Sequence, residues 1–170
     1  MMLVGWGGNN GTTLTAGLIA NQLGLTWNTR TGEKSANFYG SVTQCGVVRL
    51  GTTAQGEEIN VPIKELLPMV EPKDIVVGGW DISGLDLANA LRRAQVLDYD
   101  LQRQLMPHMA KFKPLPSIYV PDYIAANQLD RADNVLKGTK QEMMDTIRKN
   151  IRDFKATNQL DTVIVLWTAT

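Results

Sequence analysis

Short, mostly apolar runs recur along the chain between turn-forming or charged residues. They cover Met1–Val4, Ile75–Val77, Ser117–Val120 and residues 161–167. Runs of this length are typical of strands that are buried on both faces of a parallel sheet. The pattern therefore predicts four buried strands.

Longer segments between these runs have apolar residues every three or four positions or along most of their length, as helices packed on a sheet do. They span Thr12–Leu23, Leu85–Met106 and Lys140–Lys155. Because strands alternate with helices, we expect an α/β fold in which crossover helices flank a parallel sheet.

The pattern changes from Trp27 to about Val70, where β-forming residues alternate with turn residues. The stretch TTAQGE separates GVVRL from EINVPI and predicts a hairpin. We expect a small antiparallel β insertion, at about residues 27–70, in a single domain of residues 1–170. Since the chain begins and ends at predicted strands, we interpret this domain as incomplete.

Composition and charge exclude several classes of partner. The 17 basic residues balance the 17 acidic residues, whereas nucleic-acid binding relies on excess positive charge. Basic pairs such as Arg92 and Arg93 fall on the polar side of a predicted helix, and we expect them to be solvated. No apolar run approaches the twenty residues of a membrane span. A single cysteine, Cys45, favours the cytoplasm.

The stretch GWGGNNG lies between the first predicted strand and the first predicted helix. Gly7 and Gly8 would let the main chain approach a pyrophosphate closely, and free amides at a helix start bind phosphate well. Asn9 and Asn10 tolerate left-handed backbone and add amide donors, and Gly11 then opens the helix. The alternative is a tight turn that binds no ligand.

Asp81 follows the second predicted strand, where a dinucleotide site places the acid that holds the adenosine ribose. A carboxylate there accepts hydrogen bonds from both ribose hydroxyls and repels a 2′-phosphate, which favours NAD over NADP. The alternative role of Asp81 is to cap the following helix, although Ser83 or Asp86 could do so instead.

Several motifs together resemble those of the inositol-3-phosphate synthases (myo-inositol-1-phosphate synthases). They are VGWGGNNGTT, FYGSVTQ, LPMV, GWDIS, YIAANQLDRADN and VIVLWTA. The resemblance implies the first part of an NAD-binding Rossmann-like domain. The whole enzyme would be a longer, homotetrameric, cytoplasmic isomerase (an intramolecular lyase) of inositol and phospholipid biosynthesis.

Such an enzyme converts D-glucose 6-phosphate to 1D-myo-inositol 3-phosphate by NAD-dependent oxidation, enolisation, intramolecular aldol cyclisation and reduction. The resemblance implies that its catalytic groups come from a region beyond residue 170. We therefore name no catalytic residue, expect no metal site, and expect the chain alone to be inactive.

The resemblance also assigns cofactor contacts along the whole chain. They are Gly7, Gly8, Asn9 and Asn10 at the pyrophosphate, Asp81 at the ribose, Ser117 and Ile118 on the adenine side, Gln128, Arg131, and finally Thr168, Ala169 and Thr170. Gln128 and Arg131 are three residues apart, so one helical turn would present both. A surface ion pair is the alternative role of Arg131. The family usually has asparagine at the position of Thr170.

Two other functions fit the same motifs less specifically. One is a different NAD-dependent oxidoreductase, which would accumulate NADH with its substrate. The other is a truncated, non-catalytic module that binds NAD or pairs with intact subunits through the inserted strands.

Overall fold

A parallel β-sheet lies at the centre of the structure, a computed structural model that describes residues 1–123 and 126–169. The predicted cofactor residue Thr170 lies outside the described residues. In chain order the elements are β1 (Met2–Val4), α1 (Asn9–Leu23), β2 (Thr26–Thr29), β3 (Gly32–Ser35), α2 (Val42–Cys45), β4 (Val47–Thr52), β5 (Glu58–Pro62), α3 (Ile63–Leu66), β6 (Gly78–Asp81), α4 (Leu87–Ala94), α5 (Tyr99–Met109), β7 (Leu115–Pro116), α6 (Lys140–Thr157) and β8 (Val165–Trp167). Short 3-10 helices cover Pro72–Asp74 and Ala126–Arg131.

Within the described residues, the central sheet has the strand order β7-β6-β1-β8, and every neighbouring pair is parallel. Met2 of β1 lies opposite Gly78 of β6 on one side and Val165 of β8 on the other. Non-consecutive neighbours require crossover connections, as in a doubly wound sheet. The predicted Rossmann-like α/β fold is confirmed.

The strands of the central sheet direct their side chains to two opposite faces, because successive residues of a strand face opposite sides. Leu3 belongs to the main apolar core with side chains of α1, α4 and α5. On the other face, the Trp80 indole Nε1 donates to Asn150 Oδ1 of α6 at 3.0 Å. Helices therefore cover both faces of the sheet.

Two antiparallel hairpins follow α1, as predicted. Strands β2 and β3 form the first, and β4 and β5 form the second around the expected TTAQGE turn. The first hairpin is anchored to the start of α5, because the Trp27 indole Nε1 donates to Asp98 Oδ2 at 2.8 Å. Both hairpins lie within the region interpreted as an insertion, apart from Thr26.

Three predicted strands are displaced or shortened. The second is Gly78–Asp81 and not Ile75–Val77, and the third is Leu115–Pro116 and not Ser117–Val120. A Cβ on Gly78 would lie 2.7 Å from the Phe154 ring, so a glycine is needed where α6 meets the sheet. Beyond β7, Ser117 pairs instead with Val135 in an isolated parallel bridge, and its amide donates to the Asn134 carbonyl at 3.0 Å. The fourth strand is confined to residues 165–167.

The single helix predicted over Leu85–Met106 is two helices. Gln95 adopts a left-handed conformation, with φ of 50°, and ends α4. The chain re-enters helix at Tyr99 and continues to Met109. The spacing of apolar residues continues across the break, so the sequence pattern could not reveal that the helix is interrupted. Within the described part of the chain, no helix has the length and apolarity that a membrane span requires.

Substituting Trp80 tests how strongly α6 holds the sheet. Trp80 is 1% exposed. Trp80→Phe removes the hydrogen bond to Asn150 and leaves a small cavity, so we expect the free energy of unfolding to fall by about 1–3 kcal/mol. Urea denaturation followed by circular dichroism measures it. The control Trp167→Phe changes an indole that is 65% exposed, and equal losses in the two variants would contradict the expectation.

Candidate functional site

The glycine loop joins β1 to α1 and is fixed to the end of β6. The amides of Gly5 and Trp6 both donate to the Trp80 carbonyl at 2.9 Å, and the Gly8 amide donates to the Gly5 carbonyl at 3.0 Å. Gly5 has a φ of 86°, which favours glycine at this turn. The loop is therefore an ordered turn, held by one internal hydrogen bond and by two to the end of β6.

Helix α1 begins at Asn9, three residues before the predicted start at Thr12. The Gly8 carbonyl accepts the Thr12 amide at 3.0 Å and the Thr12 hydroxyl at 2.8 Å, which starts the helix early. Asn9 and Asn10 consequently have right-handed helical backbone, so the loop does not use their tolerance of left-handed backbone. The Asn10 side chain donates from Nδ2 to the Thr168 carbonyl at 3.2 Å.

Within the described residues, the first amides of α1 have no side-chain cap, and they lie at the cleft. Gly8 is the N-cap residue and has no side chain to cap the helix. The first amides of an α-helix have no intrahelical acceptor, and they carry partial positive charge. Gly8 and Asn9 line the cleft, so this positive end faces it. Such an end binds anionic groups, phosphates above all.

Asp81 ends β6 beside this loop and is 2% exposed. Its Oδ1 accepts hydrogen bonds from Arg131 Nη2 at 2.8 Å and from the Ser83 amide at 2.9 Å. A Cβ on Gly7 would lie 3.1 Å from the Asp81 Cγ, so the carboxylate packs directly on the loop. Asp86 caps α4 by accepting the Asn89 amide, which rules out the helix-capping role for Asp81.

Arg131 ends the 3-10 helix Ala126–Arg131 and reaches Asp81 from outside the sheet. Its Nη1 donates to Gln128 Oε1 at 3.0 Å, so one helical turn presents both residues as predicted. Arg131 does form an ion pair, but its partner is buried and not at the surface. Within the described residues, the buried Arg131 Nε has no hydrogen-bond partner.

An open cleft at the carboxyl ends of β1, β6 and β8 brings most of the predicted residues together. Those lining it are Gly8, Asn9, Asp81, Ser117, Ile118, Gln128, Arg131, Thr168 and Ala169. Its volume of about 200 Å³ is below the roughly 300–1,000 Å³ of enclosed ligand pockets, so the described residues form a wall and not a closed cavity. Gly7 and Asn10 lie behind that wall and support it through Asp81 and Thr168.

Arg93 is a neighbour of the site that the sequence did not predict. Arg93 is exposed, as predicted, but its Nη2 also donates to the Gly7 carbonyl at 2.6 Å. Burial, and then the charge of Arg131, lower the pKa of the Arg93 guanidinium from its ordinary value, while Asp81 opposes the change. Arginine remains protonated at neutral pH despite such shifts.

A glycine loop between a strand and a helix, an uncapped helix start and a buried carboxylate at the end of the neighbouring strand define a dinucleotide-binding α/β domain. The family model described as myo-inositol-1-phosphate synthase, an NAD-binding domain, matches residues 1–170. The chain therefore belongs to the myo-inositol-1-phosphate synthase family, as the motifs indicated, and represents its NAD-binding region.

Individual relatives agree with this assignment. The chain is 61% identical over 169 residues to inositol-3-phosphate synthase 1 of Bos taurus and covers 99% of itself and 30% of that protein. It is 58% identical to inositol-3-phosphate synthase of Dictyostelium discoideum, of which it covers 33%. The crystal structure of inositol-3-phosphate synthase from Caenorhabditis elegans superposes with a TM-score of 0.95 at 48% identity, over 99% of this chain and 34% of that one. The chain thus spans about a third of the length of these relatives.

Mutation can distinguish the buried ion pair of Asp81 and Arg131 from ordinary surface ion pairs by its effect on stability. Arg131→Met leaves a buried carboxylate without its cation, and we expect the free energy of unfolding to fall by about 1–3 kcal/mol. Arg148→Met breaks an exposed pair with Asp145 and should leave the urea midpoint unchanged. The double variant Asp81→Asn, Arg131→Met should recover part of the loss. Equal midpoints for the two single variants would contradict a structural role for the pair.

Proposed function

We propose that this chain holds NAD at the cleft as the cofactor-binding part of an inositol-3-phosphate synthase. The observation that supports the proposal most is the position of Asp81 beside the uncapped start of α1, at the ends of neighbouring strands. The pyrophosphate at the centre of a dinucleotide needs a donor-rich surface, and the adenosine ribose needs an acceptor. Both are present within one wall of the cleft.

The pyrophosphate would lie against Gly8 and Asn9 at the start of α1. Gly7 and Asn10, which do not line the cleft, would act by supporting this loop. Arg131, with Gln128 beside it, would donate to a phosphate or ribose oxygen. The buried Nε of Arg131 and its two occupied Nη atoms show how fully this guanidinium is already oriented.

The adenosine end would lie farther along the cleft. Asp81 Oδ1 already accepts two hydrogen bonds, so Oδ2 is the oxygen for the ribose hydroxyls. Ser117 and Ile118, just after β7, would lie along the adenine. Thr168 and Ala169 follow β8 on the opposite side, and the Thr168 hydroxyl donates to the Val4 carbonyl at 2.9 Å, which keeps this segment against the loop.

We further propose that the whole protein converts D-glucose 6-phosphate to 1D-myo-inositol 3-phosphate. NAD supplies a hydride acceptor that later returns the hydride. The residues of this chain would bind and orient the cofactor and keep its pyrophosphate beside hydrogen-bond donors. Among the described residues that line the cleft, none is lysine or histidine, and the one carboxylate is paired. The groups that move protons on the sugar would come from elsewhere in the protein. The homotetramer and the cytoplasmic location remain predictions from the resemblance.

Titration with NADH tests the cofactor site on the chain itself. Energy transfer from tryptophan should show saturable binding, weaker for NADPH. Asp81→Asn keeps an acceptor for Ser83 but removes the charge, and losing a hydrogen bond to a charged group costs about 1.5–3 kcal/mol, so binding should weaken about tenfold or more. Asp86→Asn makes the same chemical change at a helix cap, where asparagine serves equally well, and should bind like the parent chain. Equal affinities for all three would contradict the assignment of Asp81.

Turnover separates the isomerase from the other functions. We expect the 170-residue chain to bind NADH but to form no inositol phosphate from glucose 6-phosphate, as measured by mass spectrometry. The full-length protein should form it with no net NADH. Steady accumulation of NADH with substrate would instead identify a different oxidoreductase. Product formation by the 170-residue chain would show that its own residues suffice for the chemistry.

A further inference from the structure

Arg93 contacts the glycine loop from a helix that is remote in sequence. It lies in the last turn of α4, 86 residues from Gly7, whose carbonyl it meets at 2.6 Å. This distance is at the short end for a hydrogen bond from a cation to a carbonyl. Helix α4 packs on α1 and buries Leu87 and Leu91, so the helix that carries Arg93 is itself firmly placed.

The peptide unit between Gly7 and Gly8 is held at both ends. Its carbonyl oxygen accepts from Arg93, and its amide donates to the Gly5 carbonyl at 3.0 Å. The next amide along the chain is that of Asn9, the first residue of α1. Glycines on either side of this peptide bond impose little conformational preference, so hydrogen bonds must set its plane.

Arg93 also adds to the charge around the cleft. It lies close enough to Asp81 and Arg131 for both to act on its own ionisation. Of these three groups, two are guanidinium groups and one is a carboxylate, so together they carry an excess positive charge near the start of α1. An anionic ligand is favoured by that excess, although Arg93 itself stands behind the loop and not in the cleft wall.

We infer that Arg93 is a positioning residue, which fixes the Gly7–Gly8 peptide plane so that the first amides of α1 are held ready for a pyrophosphate. The assignment of the ligand rests on the proposed function, but the assignment of the loop contact does not. Arg93 acts through the loop backbone, so its loss should alter the loop before it alters the fold.

Amide hydrogen exchange on the whole chain, without cofactor, tests the loop contact directly. In Arg93→Met the Gly8 amide should exchange at least about fivefold faster, as expected when about 1 kcal/mol of local stabilisation is lost. The Gly5 amide, which donates to Trp80, and the amides of α6 should keep their rates. Arg92→Met is the matched control: Arg92 is adjacent in α4, and within the described residues its side chain makes no hydrogen bond or ion pair.

NADH titration of the same variants tests the link to the ligand. Arg93→Met should bind about tenfold more weakly, and Arg93→Lys, which keeps the charge and one donor, should recover part of the loss. Unchanged Gly8 exchange in Arg93→Met would overturn the inference, and so would faster exchange throughout α6. Faster exchange at Gly8 with unaltered NADH affinity would overturn the role toward pyrophosphate. If the parent chain binds no NADH, the proposed function of the chain fails, and the exchange rates still decide the role of Arg93 in the loop.

Discussion

The buried carboxylate of Asp81 is the constraint on which the site depends. An ionised carboxylate removed from water needs a cation or hydrogen-bond donors, because its desolvation is otherwise too costly. Arg131 and the Ser83 amide meet that need at 2.8 and 2.9 Å. A Cβ on residue 7 would also come within 3.1 Å of the carboxylate carbon, so glycine gives the close fit there. One charge thus joins β6, the glycine loop and the 3-10 helix that ends at Arg131.

The end of β6 is the frame for these contacts. The Trp80 carbonyl accepts two loop amides, and the Asp81 carbonyl accepts Asn134 Nδ2 at 3.0 Å. The loop of one crossover unit and the segment after β7 are therefore tied to the same two residues. This arrangement explains why the cleft opens at the carboxyl ends of the strands, where parallel sheets bind ligands. Strand β6 has only four residues, and the hydrogen bonds to its last two hold the residues of the site in place.

Much of this architecture could be predicted because its signals are local. The alternation of strands and helices gave the parallel sheet, the TTAQGE turn gave one hairpin, and the position after a strand identified Asp81. Tertiary packing decided the parts that were wrong. Gly78 is a strand residue although glycine disfavours strands, and the Phe154 ring fills the space that a side chain there would take. Gln95 interrupts a helix whose apolar period is continuous, since a single left-handed residue leaves no trace in that period.

Arg93 and Arg131 show where reasoning from periodicity reaches its limit. Both were open to interpretation as surface residues, and Arg131 was placed at the site only by its resemblance to a family motif. The polar side of a helix is the side that lacks apolar packing. It can face water, but it can also face backbone groups that need hydrogen-bond partners. A glycine loop exposes carbonyls that no side chain of its own covers, and α4 presents Arg93 to one of them. A cation on the polar side of a helix next to such a loop is therefore expected to bind backbone, and the spacing of apolar residues cannot reveal which cation does so.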